Sequence, residues 1–413
     1  MSHAWRALRH RNFRLFVFGQ SISVTGTWLT RLATMWLVYR LTHSALLLGV
    51  VSFAGQIVTF VAGPFAGVWV ERLDRRKLLI WVQAIAAVQS LVLAAATLTN
   101  VITLWQIIAL TVLGGLTGAL GVPGRLAFVT QMVDDRNDVD NAIAILSSIS
   151  NAARLIGPTF AGLVIAAFGE GWCFLIDGVS FLPVIASLAL MRIEPMEAGR
   201  HSRGMLSEMH EGWSYVSTFR PLRSVLLFFA LVSLMGYSYA VLLPVFASQV
   251  LHGGPTTLGW LNSASGVGAL ASALFLAARK SVVALARLVQ IAAAVLGTAL
   301  MLFGLSHLLW LSLVLMMLVG FGLMQSVAAS NTIILSLAPQ AMRARVMSYY
   351  TMAFFGGAPF GSLLASVLAN RIGASNAMVL TGGACLLGSM CFALELPKVT
   401  TALDEACPRD PSS

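Results

Sequence analysis

Three ionisable residues interrupt otherwise uncharged apolar runs: Arg31, Arg154 and Asp177. A charge held in an apolar interior is costly, and one kept there is a functional group by default. A nearby arginine lowers the proton affinity of a carboxylate, whereas desolvation raises it. Asp177 can therefore exchange a proton when a cationic partner moves. The expectation is that Asp177 is a coupling acid and that Arg31 or Arg154 is its partner. A permanent structural ion pair is the alternative, and the sequence does not give the distances that separate the two.

A second cluster lies at 66–79, AGVWVERLDRRKLL, where six charges crowd into the seven positions from Glu71 to Lys77. Carboxylates beside guanidinium groups can form charge-assisted hydrogen bonds there, and Gly67 permits close helix approach. Simple membrane-surface anchoring is the alternative, favoured for Lys77. Other chemistry is thinly represented. The cysteines Cys173, Cys385, Cys391 and Cys407 lack CxxC or metal-ligand spacing, so neither a disulfide framework nor a zinc site is expected. The histidines assemble no acid/base centre, and GxxxxGK[ST] is absent, so no ATPase is expected. The reading is of a protein that is not an enzyme and that uses no cofactor or metal.

The elements that carry these residues follow from composition. The 413 residues are 58% hydrophobic and only 10% charged, with a mean hydropathy of +0.85. A soluble domain carries about 25% charged residues, so lipid must be the solvent for most side chains. Apolar stretches near the ~20 residues needed to cross a bilayer recur throughout, and they are far longer than the roughly ten-residue strands of a membrane barrel. Helices are expected at 13–38, 44–70, 78–98, 102–123, 141–168, 172–191, 222–250, 256–278, 282–304, 308–331, 345–369 and 374–394. The first is too long for a cleaved signal core.

Basic residues orient these crossings, because Lys and Arg accumulate on the cytoplasmic side. With both termini cytoplasmic, 22 of the 26 Lys and Arg residues fall inside; Arg40 and Arg371 fall outside and Arg31 and Arg154 lie within helices. The same distribution accounts for the net charge of +10 through the anionic inner leaflet, so nucleic acid is not an expected partner. The location read from this pattern is the bacterial cytoplasmic (inner) membrane.

The chain divides into a six-helix bundle at 1–191, a linker with an amphipathic helix at 192–221, a second bundle at 222–396 and a short polar tail at 397–413. Within the linker, Leu206, Met209, Trp213 and Val216 recur at helical spacing. The halves also resemble one another. NAIAILSSISNAARLIGPTFAGLVIAAFG from Asn141 aligns with MRARVMSYYTMAFFGGAPFGSLLASVLANRIG from Met342 when Pro158 is set on Pro359, and the segment from Leu48 aligns with the one from Leu258. A duplicated unit suits a transporter with alternating access. Gln20, Gln56, Asn151, Tyr237, Tyr239, Asn262, Gln325 and Asn331 are expected to line its path, since an amide facing lipid is expensive; hydrogen bonding between helices is the alternative. Trp28, Trp36, Trp69 and Trp105 suit interfacial anchors.

The cluster at 66–79 resembles the helix 2–3 loop motif of the major facilitator superfamily, mapped onto Gly67, Glu71, Arg72, Asp74, Arg75 and Arg76. Glu71 stands where the family more often has Asp, and Asp74 replaces a Gly. The opening RNFRLFVFGQSISVTGTWLTRLATMWLVYRLTHSALLLGVV is similar to the branch containing bacterial macrolide-type and enterobactin-type exporters. ARLIGPTFAG resembles the helix 5 exporter motif, reduced here to Ala153, Gly157, Pro158, Ala161 and Gly162; ordinary helix packing is the alternative. One departure is that helix 4, read as LWQIIALTVLGGLTGALG, lacks the mid-helix arginine of many exporters.

The resemblance implies an all-α integral membrane protein with the major facilitator superfamily fold, twelve transmembrane helices in two pseudo-symmetric six-helix bundles. It implies a gating role for the clasp and a monomer sufficient for function. The leading expectation is a secondary exporter of a small amphipathic organic compound, a drug or siderophore, working by proton antiport. Uptake of a small nutrient or metabolite is the alternative.

Overall fold

The computed structural model describes residues 3–133, 138–191, 205–278, 282–340 and 342–406. Among them every regular element is helical, as lipid demands, because a helix satisfies its own backbone hydrogen bonds. After a 3-10 turn at His3–Arg9 come α1 (Arg11–Thr42), α2 (Ala45–Arg72), α3 (Arg75–Leu98), α4 (Leu104–Met132), α5 (Val139–Phe168) and α6 (Glu170–Leu190). The amphipathic α7 (Met205–Thr218) follows. The seventh crossing is built from α8 (Arg220–Leu231), a π turn at Val232–Gly236, α9 (Tyr239–Val245) and a second π turn at Phe246–Val250. Then come α10 (Pro255–Ala277), α11 (Val282–Leu305), α12 (Leu309–Leu337), α13 (Arg343–Ile372) and α14 (Ala374–Ala406).

Eleven helical segments among the described residues are long and apolar enough to cross a membrane. The 32-residue α1, richer in Ser, Thr and Arg, is the twelfth long helix. Several of its hydroxyls are turned back onto its own carbonyls: Ser21 donates to Val17 O, Thr27 to Ser23 O and Thr34 to Thr30 O, which satisfies these donors within the helix. The outer faces carry side chains that only lipid would accept, with Trp105 78% and Trp310 81% exposed.

The contacts fall into two compact units. One comprises Met1–His43, Val50–Arg200 and Gly253–Ser263; the other comprises Ser44–Gly49, His201–His252 and Ala264–Ser413. In the first, α6 packs on α1 and α3, α5 on α1, and α4 on α3. In the second, α14 packs on α8 and α11, α13 on α8 and its π turn, and α12 on α11. These pairings correspond one to one under the internal duplication.

The boundaries differ from a clean division at the linker. The first turns of α10 pack within the first unit and those of α2 within the second. The last helix continues through Pro397 to Ala406, so the segment expected as a polar tail is largely helical. Residues 192–204, Arg136, Arg279, Lys280 and Cys407 lie outside the described residues.

The duplication is visible in matched details. Helices α5 and α13 each have 30 residues and end on a glycine with positive φ, Gly169 at 89° and Gly373 at 87°. That region is open to a residue without Cβ. Aligned by these ends, Pro158 and Pro359 stand three positions apart, so the proline-on-proline alignment is shifted by nearly one turn. With the corrected register, Pro158 and Gly162 correspond to Ser362 and Ser366. Gly259 approaches Pro158 and Gly162, and Gly49 approaches Ser362 and Ser366. The same close packing therefore occurs once in each unit.

Candidate coupling site and clasp

Asp177 sits on α6 about 10 Å from its first residue at 1.5 Å per residue and is 2% exposed. Ser90 of α3 donates to its Oδ2 at 2.8 Å, while Ser180 is spent on the Asp177 backbone carbonyl at 2.7 Å. Neither Asp177 Oδ1 nor the Thr30 hydroxyl makes a hydrogen bond of acceptable geometry. Room for the carboxylate comes from α1: a Cβ at Gly26 would lie 2.7 Å from Asp177 Oδ1.

Neither expected cationic partner pairs with Asp177 among the described residues. The Arg31 guanidinium lies 5.0 Å from the Trp28 ring centroid in a cation–π arrangement. Arg154, on α5, forms no ion pair with Asp177. A structural ion pair at Asp177 is thus absent from this conformation.

Arg125, counted from sequence as a surface charge, belongs instead to the body of α4, which runs on through Pro123 to Met132. It lines a cavity of about 190 Å³ with Asp177, Thr30, Gln83, Ser90 and Thr117. The expected end of helix 4 at 123 is corrected accordingly; Arg125 lies toward the C-terminal end of α4, and the middle of the helix carries no arginine. The signal was present in the spacing: Gly114, Thr117, Gly118, Gly121 and Arg125 recur every three or four residues and so share one face of α4.

Among the described side chains of the clasp, Arg75 and Arg76 meet backbone carbonyls and Asp74 caps a helix. Asp74 is the N-cap of α3, accepting from the backbone N–H groups of Arg76 and Lys77 at 3.0 and 3.1 Å. Arg75 donates to Ala127 O at 2.9 Å, and Arg76 forks onto Leu188 O and Ala189 O, both at 2.7 Å. These arginines therefore tie the start of α3 to the ends of α4 and α6, where exposed carbonyls and the helix dipole favour a cation. Gly67, Glu71 and Arg72 are in the last turns of α2; their side chains lie outside the described part of the structure.

On α5, Ala153 and Ala161 are buried, and a Cβ at Gly157 would meet Trp28 Cβ at 2.6 Å. A Cβ at Gly162 would meet Pro255 O, also at 2.6 Å. One residue beyond Pro158, both N and Oγ1 of Thr159 reach Ser263 Oγ, at 3.1 and 2.7 Å. The motif is thus a close-packing surface for α1 and the start of α10.

The expected path residues are divided between the units. In the first, Gln20 is buried with Oε1 unsatisfied, Gln56 donates to Ser52, Asn262 donates to Leu258 O, and Asn151 is half-buried. In the second, Tyr239 pairs with Ser265 at 2.9 Å and Gln325 accepts from Ser272 at 2.9 Å. The Tyr237 ring meets Phe354 edge-on at 5.8 Å, and Asn331 is half-buried on α12. The sequence did not single out Glu170, which is 5% exposed and accepts from Arg40 at 2.8 Å. Nor did it single out Asp138, which binds Arg6 at 2.8 Å and His10 at 3.3 Å.

The chain is similar to the multidrug efflux pump Tap of Mycolicibacterium fortuitum, with 27% identity covering 87% of this chain and 89% of that protein. It is 23% identical to the staphyloferrin A transporter of Staphylococcus aureus, covering 92% and 95%. Its backbone matches the crystal structure of a bacterial homologue of the human lysosomal transporter Spinster, with a TM-score of 0.73, 13% identity and complete coverage of both chains. Residues 2–410 match the family model described as transmembrane secretion effector. With its helical architecture and duplicated halves, the chain belongs to that family of the major facilitator superfamily: it is a multi-pass membrane transporter and not an enzyme.

Proposed function

We propose that the chain exports a small amphipathic organic compound, of the drug or siderophore class, by alternating access coupled to proton entry. The observation that carries the coupling is Asp177: a carboxylate 2% exposed, hydrogen-bonded by Ser90 and, among the described residues, paired with no cation. The proton affinity of a carboxylate follows its surroundings, so a change of surroundings during transport would change its proton occupancy. In this reading the end of the bundle carrying Arg75 and Arg76 faces the cytoplasm, and the clasp gates by making and breaking its ties to α4 and α6. The chain works as a single copy. Similarity to proteins named for drug efflux and for staphyloferrin A transport supports the substrate class.

The test is efflux from cells preloaded with fluorescent cations, macrolides or catechol siderophores, with the proton gradient imposed or collapsed. Gradient-dependent export by wild type and its loss in Asp177→Asn is the expected result. Equal export by both would remove Asp177 from the coupling step. Accumulation in place of export would overturn the direction.

A further inference from the structure

The cavity beside Asp177 is elongated. Its α3 lining runs from Leu79 to Ser90 and its α4 lining from Gly114 to Arg125, about 16 Å of rise on each helix at 1.5 Å per residue. Asp177 is at the Ser90 end, which Ser90 Oγ fixes by its hydrogen bond. Arg125 is at the Leu79 end, because its neighbour Gly124 faces Leu79. Between them the wall carries Gln83, Gln89 and Ser23, which can give and accept hydrogen bonds, and Thr27 and Thr117, whose hydroxyls donate to Ser23 O and Gly114 O and can still accept.

The volume helps to decide what the cavity is for. About 190 Å³ is the space of roughly six liquid waters at ~30 Å³ each, and it is smaller than the ~300 Å³ at which drug-sized pockets begin. The α4 side is kept open by glycine. A Cβ at Gly118 would meet nothing within 4 Å, and one at Gly121 would meet only Val82 at 3.5 Å. A larger side chain at either position would project into the cavity without striking backbone.

We propose that this cavity is the route along which water and protons pass between Asp177 and the Arg125 end of the first unit, held open by the glycine face of α4. The proposal rests on the reading of Asp177 as the coupling acid. Water bridging the serine, threonine and glutamine groups would relay a proton to and from Asp177 Oδ1, the carboxylate oxygen without a hydrogen bond. The fixed charge of Arg125 at the far end opposes entry of a metal cation; a proton meets the same repulsion but passes by hopping between hydrogen-bonded waters, which a metal ion cannot do. Other ionisable groups on the packed helices are placed elsewhere. Arg31 of α1 lies over Trp28, Glu170 of α6 is tied to Arg40, and Cys173 of α6 faces Ala161 O. Arg154 of α5 makes no ion pair with Asp177. The α3 stretch 78–98 carries no charge.

The test is infrared spectroscopy of the full chain in lipid nanodiscs, following the carboxyl band through jumps between acid and alkaline buffer; the band belonging to Asp177 is the one that Asp177→Asn removes. Gly118→Leu should slow its response by about tenfold or more, as an apolar side chain replaces bridging water, and Gly118→Ser should leave it near the wild-type rate. A wild-type response in Gly118→Leu overturns the route while leaving Asp177 as the coupling acid. Equal slowing in Gly118→Ser overturns it too, because the effect would then come from backbone disturbance. If no titrating band disappears in Asp177→Asn, the coupling assignment itself fails, and the route with it.

Discussion

Glu170 and Asp177 are two buried carboxylates two turns apart on one helix, and the fold treats them oppositely. Glu170 is matched by Arg40 at 2.8 Å, whereas Asp177 has the Ser90 hydroxyl and, among the described residues, no ion pair. Removing one member of a buried pair leaves an uncompensated charge, at a cost of about 3–5 kcal/mol. Because the Arg40 side chain is 50% exposed, water takes part, and about 1–3 kcal/mol is the expected loss for Arg40→Ala. Thermal unfolding of the purified protein should show a lowered midpoint, and adding Glu170→Gln should recover most of it, since the stranded charge is then gone. No recovery in the double variant would mean that Arg40 acts through packing alone. Asp177→Asn should move the midpoint far less than Arg40→Ala, because it breaks no ion pair. That contrast separates a carboxylate used to hold α6 in place from one left able to change its charge.

At the start of α3, Arg76 reaches the far end of α6, where its planar fork bridges Leu188 O and Ala189 O at 2.7 Å each. A lysine is a point charge and cannot span two carbonyls with fixed geometry. Arg76→Ala should cost about 1–2 kcal/mol, within the range for hydrogen bonds to charged groups, and Arg76→Lys should recover only part of it. Hydrogen exchange at Ser187–Leu190 is the direct readout: faster exchange in both variants is expected, and unchanged exchange would remove Arg76 as the cap of α6. The long apolar helices were legible in the sequence, because lipid leaves the backbone few alternatives. Their ends were less so. The expected stop of helix 4 at 123 treated Pro123 and Gly124 as a terminus, but a membrane helix tolerates proline where neighbours re-satisfy the freed groups, so Arg125 was assigned to a loop. The exchanged starts of α2 and α10 leave no trace in composition, since a few small residues pack equally well against either half. Asp177 was legible as an isolated charge, but its serine partner and the cavity beside it depend on how α3 and α4 meet α6. The clasp was legible as a cluster, but the backbone carbonyls met by Arg75 and Arg76 were not.

The distribution of arginine and lysine over the whole chain, set against the alternation of crossings, makes the orientation testable independently of transport. If the clasp end is cytoplasmic, the α3–α4 connection around Asn100 faces outward, and the end of α7 around Ser217 faces inward. Asn100 is exposed and Ser217 half-buried, and Asn100 has a positive φ of 58°, as expected of a turn residue that tolerates the left-handed region. A cysteine-free background is needed, because Cys391 is exposed while Cys173 and Cys385 are buried. In that background Asn100→Cys should react with a membrane-impermeant maleimide in intact cells, and Ser217→Cys should react only after permeabilisation. The reverse pattern would place the basic segments outside, against the retention of Lys and Arg on the cytoplasmic side. It would also turn the proposed proton route around: the Arg125 end would then open to the compartment from which protons enter, and a chain read as an antiporter would have to carry substrate and proton in the same direction. Labelling of both positions in intact cells would indicate that the two connections share one side, which an odd number of crossings between them forbids. From Asn100 the chain passes through α4, α5 and α6 before reaching Ser217, so opposite sides are required of any assignment in which all three span the bilayer.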